Sequence, residues 1–432
     1  MNVSALEEIR TPDLWLRRPT LYPLGYKRNV KIIAYDIIPT NFIEKELDTS
    51  KMAVYNPTPH HTTLLPEYRV TILNNLSTDI DAKELARMMY LRDKELTDRL
   101  VIDDENPDYI IASETCFWHL EDNLRLKDYF LRRKDSIFIF RCHECIDPDL
   151  NLFDYALVWN PDFVCGDRVA HIVPYIGVKS TRTVISDITY EEARSKLDSK
   201  PGFCNFIYSH ASEPRDTFFR LLSQYKHVDS LGPHMNNTDA PTSRDSQDWY
   251  ALSIKMKTGY KFSIAMENSS YKGYTTEKIV SSLHAHTVPI YWGDPAVTDF
   301  INPKAFINCN DYSSFDEVIE RVKEIDSNDE LWLDMVTQPW QTEEQYDKVV
   351  RMLDDNDAFI RNIFTQDIKK AKRRPVGAWP DKFINHFTGI LGTLNPRRIK
   401  FIRSIRKMID KLIPKKRKSA VKEFVKKFLH MN

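Results

Sequence analysis

Short, nearly continuous apolar runs alternate with helical patterns along most of this chain, and that alternation narrows the folds open to it. "YIIASET" (109–115), "SIFIFRC" (136–142) and "FDYALVW" (153–159) are β-rich and too apolar for strands with one wet face. Such runs suit parallel strands covered on both sides by helices. "VKIIAYDII" (30–38) reads the same way. A polar stretch at 180–202 holds a helical pattern and ends in Pro-Gly, which marks a junction. Beyond it, "FCNFIYSH" (203–210), "YKFSIAMEN" (260–268), "VPIYWG" (288–293) and "AFINCND" (305–311) read as strands. "RDTFFRLLSQY" (215–225), "TTEKIVSSLHAH" (275–286), "SFDEVIERVKEI" and "EEQYDKVVRML" read as helices. The expected architecture is two α/β domains with parallel sheets, 1–190 and 200–365, then a linking segment 366–396 and a tail 397–432. Ligands in such folds sit beyond the carboxyl ends of strands, here in the cleft between the domains.

The 432 residues suffice for two proper cores. Glycine is scarce, 11 residues where ordinary usage of about 7% would give roughly 30. That argues against glycine-rich phosphate loops, and neither GxGxxG nor a P-loop pattern occurs. The formal charge of −1 hides an asymmetry. Residues 397–430 carry 14 Lys/Arg against two acids, while the rest has 47 basic and 60 acidic residues, a net of −13. The six cysteines follow no disulfide framework, and the first residues lack the apolar core of a secretory signal. A cytosolic protein with reduced thiols is the expectation.

One stretch poses a question of charge. In "YKGYTTEKIVSSLHAHTVPIYWGDPAV" (271–297), Lys278 falls in the first turn of a helix that Thr275 or Thr276 can cap. A helix N-terminus disfavours a cation unless the cation faces a bound anion. Glu277 points about 100° away round the helix, so the two side chains can serve different parts of one ligand. A diphosphate for Lys278 and a ribose hydroxyl pair for Glu277 fit a nucleotide sugar. On spacing alone a solvated Glu-Lys pair is the favoured reading.

From Tyr260 to Val322 the chain resembles the signature region of the α1,3/1,4-fucosyltransferases of inverting glycosyltransferase family 10. The shared features are a strand ending in E-N, then G-Y-T-T-E-K-I, a helix, P-I-Y-W-G and N-P-K-A-F-I. The resemblance implies a GT-B fold, two Rossmann-like domains facing across a cleft, with GDP-fucose as donor and inversion at the fucose anomeric carbon. It implies Lys278 on the diphosphate and Glu277 on the ribose, with Tyr274 and Asn268 lining the donor site. Glu267 and Ser209, near two strand ends, join the donor-binding candidates. Arg215, in the first turn after "FIYSHASEP", best matches the family's phosphate-gripping arginine; without the resemblance it reads equally as a surface residue.

Direct inversion needs one carboxylate near the acceptor hydroxyl. "SIFIFRCHECIDPDLNLFDYAL" resembles the family stretch in which a strand runs into Gly-Glu-Asn, and Glu144 falls at the glutamate. Asp147, Asp149 and Glu114 are rivals for the catalytic base. His143 and Cys145 replace the family's glycine and asparagine. Cys142 and Cys145 form a CxxC, but a structural zinc needs further ligands at like spacing, so buried thiols are the favoured reading. His284 and His286 face different ways on a helix and make poor joint ligands. No obligatory metal is expected, although divalent-ion stimulation stays open.

In the tail, Ile399, Ile402, Ile405, Ile409 and Leu412 recur at three and four residues among Lys and Arg. This reads as a basic amphipathic helix lying on an anionic membrane surface, rather than as a nucleic-acid binder. The sequence therefore points to an inverting fucosyltransferase, peripheral on the inner face of the cytoplasmic membrane. Its acceptor would be O3 of N-acetylglucosamine in N-acetyllactosamine-type or lipid-linked surface glycans. Two alternatives stand beside it: a GT-B transferase using another nucleotide sugar, and a catalytically silent glycan-binding or membrane-scaffold protein.

Overall fold

The computed structural model describes residues 66–73, 80–117, 120–179, 183–239 and 249–392. The run at 30–38 and the tail at 397–432 lie outside them. The chain divides into two compact units, 31–388 and 1–30 with 389–432. Both sheets belong to the first; of the second, residues 389–392, the end of a helix, are described.

The strands are β1 (Tyr68–Leu73), β2 (Leu100–Ile102), β3 (Tyr109–Ala112), β4 (Ile137–Arg141), β5 (Tyr155–Val158) and β6 (Val169–His171) in a first sheet. A second holds β7 (Gly202–Phe206), β8 (Val228–Ser230), β9 (Tyr260–Ile264), β10 (Val288–Tyr291) and β11 (Ile307–Asn308). Their orders are β2-β1-β3-β4-β5-β6 and β11-β10-β9-β7-β8, and the pairings run parallel. β3, β4 and β5 are buried at every position, as their unbroken apolar runs require. In each sheet the chain order reverses once, between β1 and β3 and between β7 and β9. At such points the crossover helices diverge to opposite faces and leave a crevice beyond the strands' carboxyl ends.

The element limits differ from the sequence reading in a few places. β9 ends at Ile264, although Ala265 N and Glu267 N still donate to the carbonyls of Ile290 and Trp292. Thr276 takes the N-cap place of the Glu277–His284 helix but makes no capping bond, because its hydroxyl is spent on Glu267. His286 lies past that helix at φ +49°, its Nε2 3.2 Å from Asp187 Oδ2. His284 packs against Trp340.

One helix ties the two lobes together. Glu343–Thr365 opens with a capping box, Thr342 with Gln345, and at 1.5 Å per residue its 23 residues span about 34 Å. Val349 packs in a cluster with Ile279 and Trp340, while Ile360, Ile363 and Phe364 enter the core of the first sheet. Asn356 donates to the carbonyls of Met89 and Tyr90, and Arg92 pairs with Asp354 and Asp357. The chain then returns along the first lobe. There Asp154, fully buried, accepts from the backbone N–H groups of Phe138, Arg373 and Arg374 at 2.8, 2.9 and 2.8 Å and pairs with the Arg374 guanidinium.

Candidate active site

Two βα corners flank the reversal point of the second sheet. The chain leaves β7 through Tyr208, Ser209 and His210 and enters the Glu213–Tyr225 helix, with Pro214 in its first turn. Proline belongs there, since the first-turn N–H groups have no intrahelical partner to lose. Arg215 is 5% exposed, its guanidinium 4.2 Å above the Tyr208 ring. It donates to His210 O at 3.3 Å, and its Nε has no hydrogen-bond partner among the described residues. A cation buried with an unused donor is costly unless an anion completes it. Tyr208 is in turn fixed from below: its hydroxyl lies 2.8 and 3.0 Å from the carbonyls of Ile264 and Met266 and accepts from Met266 N. Sequence reasoning missed Tyr208, because a strand-end tyrosine carries no signal until the turn brings an arginine over it. Ser209 lies beside this corner, partly exposed.

The second corner follows β9. Glu267 is fully buried and accepts from Thr276 N, Thr276 Oγ1 and Lys278 Nζ, each at 2.9 Å. Gly293 lets it sit there: at φ +152° a Cβ would come within 2.5 Å of Glu267 Cγ. Lys278 Nζ also reaches Thr276 Oγ1 at 2.8 Å and Glu277 Oε1 at 3.4 Å. Glu277 and Lys278, expected to face apart, are thus in contact. Burial works against the Lys278 charge, but Glu267 and Glu277 outweigh it and hold the ammonium above its ordinary pKa. Burial pushes Glu267 up, while for Glu277 the neighbouring ammonium overrides burial and the net shift is downward.

Behind this helix stands Lys257, buried, without a carboxylate partner among the described residues and bonded to the hydroxyls of Ser281 and Ser282 at 2.6 and 3.1 Å. Burial lowers it to about 7. Asp294, also fully buried, accepts from Gly273 N at 2.8 Å, Thr275 Oγ1 at 2.7 Å and Ala296 N at 2.8 Å, and so shapes the loop before the helix.

That loop touches the first lobe. Asn268 Nδ2 and the Tyr274 hydroxyl donate to Glu144 Oε2 at 2.9 and 3.0 Å. Tyr271 donates to Asp147 Oδ1 at 2.6 Å, and Lys272 pairs with Asp162 at 2.8 Å. Tyr274 is buried edge-on against Trp159, and Gly273 at φ +83° crosses so close that a Cβ would lie 2.1 Å from Trp159 O. The structure therefore brings Glu144 together with Asn268 and Tyr274, and groups Glu267, Glu277 and Lys278 on the same loop-and-helix corner. The three rivals of Glu144 lie in different settings. Asp147 is held by Tyr271 and Asn160, Asp149 bonds Asn151 at 2.9 Å, and Glu114 is fully buried. Cys142 is buried and Cys145 partly so, and neither forms a disulfide. Among the described residues no group of three or more His, Cys, Asp or Glu is placed to hold a metal.

Two parallel-sheet lobes of this topology, with polar side chains gathered at the strand ends where they meet, define the GT-B class of glycosyltransferase fold. Crystal structures of an α1,3-fucosyltransferase superpose on 74% of the chain with TM-score 0.56 at 22% identity, covering 96% of that protein. A form with GDP-fucose superposes on 72%, covering 94%, with TM-score 0.50 at 20% identity. Residues 197–370 match the model for the C-terminal domain of glycosyltransferase family 10 (fucosyltransferase). An α-(1,3)-fucosyltransferase of Helicobacter pylori is 28% identical over 254 residues, 52% of this chain and 50% of that protein. Human GDP-fucose protein O-fucosyltransferase 3 is 27% identical over 197 residues, 43% of this chain and 39% of that protein. The chain thus spans half or less of the length of these curated relatives.

Proposed function

We propose that this protein transfers L-fucose from GDP-fucose, with inversion, to a hydroxyl of a glycan. The observation that carries the proposal is the meeting of Glu144, from the first lobe, with Asn268 and Tyr274 of the loop that leads to Lys278. A carboxylate on one wall and two cations on the other is what direct displacement asks for. Glu144 would take the proton of the attacking hydroxyl, and Arg215 and Lys278 would meet the charge that grows on the departing diphosphate. The unused Nε of Arg215 supplies one such donor. At Lys278 the 3.4 Å contact to Glu277 is the weakest of three, so a phosphate oxygen would replace it and free Glu277 for the ribose. With cations in these places the transfer would need no obligatory metal.

The acceptor we favour is O3 of N-acetylglucosamine in N-acetyllactosamine-type or lipid-linked surface glycans, with likeness to the Helicobacter protein in support. The likeness to protein O-fucosyltransferases supports a peptide hydroxyl as the second reading. The basic tail would hold the enzyme at the cytoplasmic face of an anionic membrane. Incubation with GDP-fucose, GDP-mannose and UDP-sugars over a panel of disaccharides and folded peptide acceptors, with linkage analysis of products, is the test. Transfer from GDP-fucose to a disaccharide is expected. Turnover with a UDP-sugar alone, or with no donor at all, would refute the proposal.

A further inference from the structure

Glu114 stands at the carboxyl end of β3, beside the reversal point of the first sheet, in a single turn of 3-10 helix (Glu114–Phe117). It is 0% exposed. Its Oε2 accepts from the backbone N–H of His143 at 2.9 Å. Its Oε1 has no hydrogen-bond partner among the described residues and faces His143 Nδ1, equally unpartnered, across 3.8 Å. The residue it grips precedes Glu144 in a three-residue bend, 143–145. Cys142 braces the same bend, its Sγ 2.6 Å from Glu144 O and 3.1 Å from Ile146 O.

A carboxyl sealed from water with one oxygen idle costs free energy that an alkyl side chain would not. The residues of β3 and the apolar ones of β4 pack in one buried cluster to which a carboxyl adds no apolar contact. What the carboxyl does hold is the main chain of the segment that presents Glu144.

We propose that Glu114 is a positioning residue for Glu144: its carboxyl clasps the His143 N–H and so fixes the bend from which Glu144 faces the donor loop. This rests on the reading of Glu144 as the base. The clasp has a second stage in reach, because an approach of under ~1 Å would bring Oε1 and His143 Nδ1 within hydrogen-bonding distance. Further groups facing Glu114 are the Arg141 guanidinium, the Glu144 carboxylate and the buried thiols of Cys116 and Cys142. Burial is the main influence and pushes the Glu114 carboxyl up to about 7, with the Glu144 charge adding to it and the His143 N–H and Arg141 opposing.

Small displacements of a base are expensive, about 100-fold in rate for ~1 Å. Three forms of the full-length protein decide the matter: wild type, Glu114→Ala and Glu114→Gln. Each is assayed for fucosyl transfer to the best disaccharide, for GDP affinity by calorimetry and for melting temperature. Glu114→Ala is expected to lower kcat about 10- to 100-fold with GDP affinity unchanged. Glu114→Gln keeps a carbonyl oxygen for the His143 N–H and is expected to recover kcat to within about threefold of wild type. Alanine and wild-type proteins of equal kcat would overturn the positioning role while leaving the proposed function intact. So would a glutamine form no faster than the alanine form. Should alanine prevent folding, a glutamine form more than tenfold slower than wild type would overturn it alone. A wild type that transfers to no acceptor would overturn both.

Discussion

At the scale of single residues, the opposed walls make separate forecasts. If Glu144 is the base, Glu144→Gln removes the proton acceptor and keeps the shape, so transfer should fall by about 10²- to 10⁴-fold, the usual worth of a general base. GDP affinity, measured by calorimetry, should stay within about twofold, because Glu144 lies on the other lobe from Arg215 and Lys278. An equal loss in both would place Glu144 in donor binding instead. Lys257 gives a forecast without any substrate. Its folded pKa, near 7, lies below the ordinary lysine value, so the charge is costly in the folded state. The cost is full below pH 7 and is relieved as pH climbs toward the unfolded value, where both states are neutral. Relative to Lys257→Met, the wild type should therefore gain stability between pH 7 and 10, at up to about 1.4 kcal/mol per unit. Urea unfolding at pH 7, 8 and 9 checks this, and a constant difference between the two proteins would contradict it.

At the scale of elements, the loop from Asn268 to Thr276 is the piece on which both lobes depend. Asp294 fastens it from the second sheet, and Trp159, Glu144 and Asp147 meet it from the first. Gly273→Ala should be worse than an ordinary glycine change, since the backbone is at φ +83° and the new carbon would strike the Trp159 carbonyl. We expect a loss of more than about 2 kcal/mol in unfolding free energy, and transfer should suffer even where the protein stays folded. Differential scanning calorimetry and the transfer assay read the two effects.

Much of this element was legible in the sequence. The strand, the polar loop and the helix stand close to where alternation placed them, and the resemblance singled out Asn268, Tyr274, Glu277 and Lys278. What could not be read was who meets whom. The pairing of Lys278 with Glu267 spans 11 positions and depends on Gly293 leaving room, while the Tyr274–Glu144 bond spans 130. Short strands such as Leu100–Ile102 and Val169–His171 were also missed, since three residues are too few to show a period.

At the scale of the whole molecule, the tail and the crossing helix set different expectations. If residues 397–432 bind an anionic surface, their deletion should shift the protein from the pellet to the supernatant with phosphatidylserine vesicles. Activity on a soluble acceptor should hold. Pelleting that is unaltered by the deletion would remove the membrane role and leave the catalytic proposal untouched.

The hold of Arg373 and Arg374 on Asp154 bears on how the protein can be cut. The family match stops at residue 370, a natural place for a cloning primer to end the chain. Excision there would strip three of the four bonds from a carboxylate at the heart of the other lobe, far away in sequence. A gene fragment ended at 370 should therefore yield insoluble protein where one carried through 392 stays soluble. The segment that follows the second sheet, by this account, finishes building the first lobe.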